Sequence, residues 1–84
     1  MRKILIQDVP VELITEKDLS SLITKFMKDK YLVDKNNLHP LVTCTMNHVD
    51  KTATIELSSV EETNRLLKLA HIRIFEKDCN FLYQ

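Results

Sequence analysis

The chain has 84 residues and 44% hydrophobic content, enough for one modest core and too short for a second domain. Twelve basic and twelve acidic side chains cancel, which excludes the long-range attraction of a strongly basic nucleic-acid binder and leaves any such affinity weak and local. No apolar run approaches the roughly 18 residues of a membrane span, so a soluble intracellular protein without a membrane partner is expected.

The first residues, Arg2-Lys3-Ile4-Leu5-Ile6-Gln7-Asp8-Val9-Pro10, alternate as a strand and stop where proline removes a backbone donor. Thr15 followed by Asp18 resembles a capping box, and Leu19, Leu22, Ile23, Phe26 and Met27 recur at helical spacing. A helix is predicted over 16–30. Asp34-Lys35-Asn36-Asn37 is turn-prone, and His39-Pro40 turns the backbone away from helix before a second strand over 41–47. In it Val42, Cys44 and Met46 form one face and Thr43, Thr45 and Asn47 the other. A tight turn at 48–50 leads to a third strand ending at Leu57, with Ala53, Ile55 and Leu57 inward and Thr52, Thr54 and Glu56 outward.

Ser59 and Glu62 make an S-x-x-E capping box for a second helix, with Val60, Leu66, Leu67 and Ala70 as its apolar stripe and an end near Leu69. The stretch from Cys79 to Tyr83 is short and apolar enough for a fourth strand. Asn80 fits its outward face, which places Cys79 and Phe81 inside and Leu82 outside; with the opposite register, Phe81 and Tyr83 would offer rings to bases. The order βαββαβ predicts an α+β domain of ferredoxin-like topology, a four-stranded antiparallel sheet with two helices on one face. With no glycine in the chain, Asn37, Asn47 and Asp50 are the residues expected at positive φ.

Cys44 and Cys79 lie in strand-like stretches and read as small buried hydrophobes without a zinc-type spacing. His39, His48 and His71 have no spaced carboxylate or cysteine partner, and no phosphate loop forms without glycine. Neither catalysis, cofactor, metal nor small-molecule substrate is expected.

The two strand-helix units have the shape of an RNA recognition motif. Arg2 to Pro10, Thr15-Glu16, His39-Pro40-Leu41-Val42, Asp50-Lys51 and above all Ile55-Glu56-Leu57-Ser58-Ser59-Val60-Glu61-Glu62-Thr63 resemble the first RNA recognition motif of the U2 auxiliary factor large subunit. The resemblance covers nearly the whole chain at low identity, as a single domain over 2–84. It implies a nuclear pre-mRNA splicing protein that reads pyrimidine-rich single-stranded RNA near 3′ splice sites, as a monomeric domain of a larger protein.

The departures from that family fall on its base-stacking positions. Leu5 stands for the first-strand aromatic, Thr52 and Thr54 for the two third-strand aromatics, and Lys51 for a small residue. Stacking on a ring is worth roughly 1–3 kcal/mol per base, so weak binding is expected. The candidate RNA face is Lys3, Leu5, Gln7, Thr43, Thr45, Lys51, Thr52 and Thr54, with hydroxyls for base edges and Lys3, Lys51 and Arg2 for phosphates. A competing reading comes from Arg73-Ile74-Phe75, which resembles the R-x-F of the U2-auxiliary-factor homology motif. That family captures a tryptophan-bearing peptide of a splicing partner on its helical side, which here would engage Arg73, Phe75 and exposed parts of Lys25 and Met27.

Overall fold

Thr15 lies in extended backbone and its Oγ1 accepts the Asp18 N–H at 3.1 Å, which satisfies one free donor of the first turn and starts helix α1 (Glu16–Asp29). Ser59 does the same for Glu62 at the start of α2 (Val60–Leu67). In the computed structural model, which describes residues 1–84, these helices alternate with strands β1 (Lys3–Ile6), β2 (Leu41–Asn47), β3 (Thr52–Leu57), β4 (His71–Ile74) and β5 (Lys77–Tyr83).

All strand pairs are antiparallel, in the order β2-β3-β1-β5-β4. The sheet therefore has five strands where four were expected. The additional strand is β4, in which His71 and Arg73 alternate with the buried Ile72 and Ile74. It pairs Ile74 with Lys77 across the two-residue turn Phe75-Glu76. Both turn residues have positive φ, 49° and 67°, the mirror-image turn that matches strand twist and usually uses Asn-Gly. Without those residues the hairpin has no sequence signal.

One hydrophobic cluster fills the space between helices and sheet: Ile4, Ile6, Ala53, Ile55, Leu57 and Phe81 from the strands meet Leu19, Ile23, Met27 and Leu66 from the helices. Cys79 and Phe81 point inward and Leu82 outward, as the register of Asn80 suggested. Burial pushes both thiols, Cys44 and Cys79, above the ordinary range, which keeps them protonated and poorly nucleophilic.

Several expectations are corrected. The first strand ends at Ile6 rather than near Pro10 because Asp8 takes φ 60° and turns the chain. In β2 the register slips between Leu41 and Thr43, so Leu41 joins Cys44 and Met46 on the inner face while Val42, in the bulge, is 55% exposed. In α2 the residues fully buried are Glu62, Thr63 and Leu66; Val60 is exposed, and Ala70 lies beyond the helix. Positive φ falls at Asp8, Tyr31, Lys51, Ala70, Phe75 and Glu76, and not at Asn37, Asn47 or Asp50.

Tyr31 closes α1. The Leu32 N–H reaches the Met27 carbonyl at 2.9 Å and the Tyr31 N–H reaches Lys28 at 3.1 Å, a Schellman ending whose left-handed residue is ordinarily glycine. Relief of side-chain strain exceeds the added chain entropy, so Tyr31→Gly is expected to stabilise the domain by about 0.5–1 kcal/mol, read as a higher Tm. An unchanged or lower Tm would contradict this account of the helix end.

Candidate nucleic-acid interface on the open sheet face

The helices cover one side of the sheet and leave the other open, and strand register decides what that side carries. Leu5 lies opposite Thr54 on one neighbour and Leu82 on the other, and Thr54 lies opposite Thr45. A cross-strand row Thr45-Thr54-Leu5-Leu82 therefore crosses the middle of the sheet. Above it, Thr43 faces Glu56 and Glu56 faces Lys3; below it, Asn47 faces Thr52 and His71 faces Asn80. Gln7 adjoins Asn80 through a backbone bond of 2.9 Å.

Seven of the eight sequence-predicted residues are thus brought onto one surface: Lys3, Leu5, Gln7, Thr43, Thr45, Thr52 and Thr54. Lys3, Thr43 and Thr45 are exposed, and the other four are half-buried by their neighbours. Lys51 stands apart. It occupies the β2–β3 turn at φ 56°, beyond the end of the ladder, where it borders a depression shared with Val9, Pro10 and Lys77. Leu82 and Asn80 belong to the face although neither carries a motif; the alternation around Asn80 was their only signal.

Chemically the centre of this face is apolar and hydroxyl-lined, and its charges sit at the margin. The Arg2 guanidinium pairs with the Glu56 carboxylate at 3.2 Å, and Arg73 lies 3.7 Å from Asp78. Those partners neutralise the two arginines, leaving Lys3 as the unpaired cation on the sheet surface. The surface can stack a flat base against Leu5 and Leu82 and bond its edges through threonine hydroxyls, with little phosphate attraction.

The residues of the peptide reading are dispersed. Phe75 projects 57% exposed from the tip of the β4–β5 hairpin, Met27 is completely buried, and Lys25 pairs with Asp29 at 2.8 Å on α1. Arg73 borders a shallow depression with Phe26, Lys30 and His71 where β4 approaches the end of α1, and Phe75 is not among its walls.

The E-L-S-S-V-E-E-T passage, the most specific part of the resemblance, performs a structural task. Glu62 is fully buried and its carboxylate accepts the Asp34 N–H at 2.8 Å, the Asn37 amide at 2.8 and 2.9 Å, and the Ser58 and Ser59 hydroxyls at 2.9 and 3.0 Å. Burial alone would raise its pKa, but these donors outweigh it and hold the carboxyl below the ordinary glutamate range. Arg65 adds bonds to the Leu32 carbonyl at 3.0 Å and to Asp34 at 2.8 Å. Together they tie the α1–β2 connection to the start of α2.

Fold and face define the class: a small α+β domain with two helices on one side of a five-stranded antiparallel sheet whose other side is open. No protein-family model matches the chain, and no curated protein matches it either. No helix is long and apolar enough to cross a membrane.

Proposed function

We propose that this domain is a divergent RNA recognition motif extended by the β4 strand, and that its open sheet face binds single-stranded, pyrimidine-rich RNA weakly in nuclear pre-mRNA splicing, near 3′ splice sites. The observation that carries the reading is the register. It gathers Lys3, Leu5, Gln7, Thr43, Thr45, Thr52 and Thr54 on the one side of the sheet left uncovered by the helices. Without β4, the strand order is β2-β3-β1-β5, in which the two motif strands β1 and β3 are central neighbours, as base recognition on a sheet requires.

Pyrimidines suit such a face because one small ring covers a leucine and presents its carbonyl and imino edge to a hydroxyl. With no ring to stack on and one free lysine, binding is expected in the millimolar to high-micromolar range, within reach only when linked domains raise the effective concentration. Titration of the domain with oligouridine at low salt should shift the amides of Leu5, Thr43, Thr52 and Thr54 first. Absence of shifts at about 1 mM RNA, a concentration that detects interactions of ~4 kcal/mol, would leave the sheet face without an RNA role.

A further inference from the structure

A second surface lies on the edge of the sheet rather than its face. Strand β2 is the free edge at one end, and its seven residues, Leu-Val-Thr-Cys-Thr-Met-Asn, carry no charge and no proline. Natural edges are usually guarded by such residues. Here the guards are the bulge at Val42 and, at the other end, one hydrogen bond: the Met46 N–H donates to the Glu16 carboxylate at 2.7 Å, which leaves Thr43 to Thr45 between them unguarded. That bond shows which way the Met46 amide points, away from β3. By the two-residue alternation of an antiparallel ladder, the Cys44 N–H and C=O face the same outward side. Beside them runs an open groove of about 520 Å³ between β2 and α1, floored by Leu41, Val42 and Cys44 and walled by the small side chains Ser20, Ser21 and Thr24.

The charge on α1 is divided along its length. Glu16 and Asp18 occupy its first turn beside Met46, whereas at the Leu41 end of the groove Lys25 is paired with Asp29 at 2.8 Å and Lys28 is the cation left without a partner. A two-fold axis that pairs β2 antiparallel with β2 of another molecule places the acidic end of one α1 against the basic end of the other, twice. Uncharged strands pair without opposing like charges, and the serine and threonine wall lets the helices approach.

We propose that the occupant of this edge is a second copy of this chain, forming a two-fold dimer in which β2 pairs with β2 about Cys44 and the sheet continues across both molecules. Glu16 serves as the stand-in for the missing strand at Met46 and turns to Lys28 of the second copy when the dimer forms. This edge is separate from the open sheet face, so the dimer stands or falls independently of RNA binding.

The interface is small, so assembly depends on concentration. Sedimentation of the 84-residue chain should show the apparent mass rising from that of one chain toward twice that value between about 10 µM and about 1 mM. Amide exchange at Cys44 and Met46 should slow over the same range. Cys44→Pro removes the outward donor, at a position where an edge strand tolerates proline, and should abolish the mass change; retained amide dispersion shows that the variant is folded. Lys28→Glu should weaken association about fivefold, and adding Glu16→Lys should restore it. A chain that stays monomeric at about 1 mM overturns the proposal, including the case in which a foreign extended peptide pairs with β2 instead. So does a dimer that survives Cys44→Pro or protects amides elsewhere.

Discussion

Glu62→Ala is expected to destabilise the domain by about 3–5 kcal/mol, enough to unfold most of a chain this small. The substitution removes the common acceptor of the Asp34 N–H, the Asn37 amide and the Ser58 and Ser59 hydroxyls, and each buried donor left without a partner costs about 1–3 kcal/mol. Glu62→Gln keeps the shape but turns an amide donor toward that set of donors, so a loss of about 2 kcal/mol is expected. The same residue sets an acid limb. Its folded pKa lies below the unfolded value of about 4.3. Its stabilisation is therefore present above that pH and is lost as pH falls through the folded pKa. Denaturant unfolding at pH 7 and pH 3 should show a stability difference that narrows in Glu62→Gln; an equal difference in both proteins would mean that Glu62 is not the titrating group.

If the open sheet face binds RNA as proposed, placing aromatic rings on it should raise RNA affinity more than any surface change should lower it. Leu5 and Thr54 are direct cross-strand partners in the middle of the open face. Leu5→Phe with Thr54→Phe places two rings side by side over neighbouring strands, where aromatic pairs also favour the sheet. At roughly 1–3 kcal/mol per stacked base, the pair should tighten oligouridine binding by about 30-fold or more. Val49→Phe, at a turn residue 91% exposed and away from the sheet face, is the control and should change nothing. If the double variant binds no tighter than the control, the face does not receive bases, and the RNA reading fails irrespective of how weak the parent is.

Much of this was legible because it rests on local chemistry. The boundaries of α1 follow from Thr15 and the spacing of Leu19, Ile23 and Met27, and those of β2 from His39-Pro40 and the turn at 48–50; both match the structure to within a residue. The outward threonines of β2 and β3 follow from alternation alone. Glu62 is different. Its motif announced a cap, but its burial depends on the loop carrying Asp34 and Asn37 folding back across 25 or more residues, which no local pattern encodes.

The chain by itself determined where the two helices begin and which residues of β1, β3 and the Thr43–Asn47 part of β2 share a face, because caps and periodicities act over a few neighbouring residues. Tertiary structure decided the rest. It turned His71–Ile74 into a fifth strand because Ile72 and Ile74 gain a buried place against Cys79 while the Phe75-Glu76 turn tolerates positive φ without glycine. It moved Lys51 off the sheet face by bending the β2–β3 turn, and it set Phe75 apart from Arg73. It also left β2 as a free edge, since strand order is chosen by which apolar faces pack together, and that choice is made across the whole core rather than within any one segment.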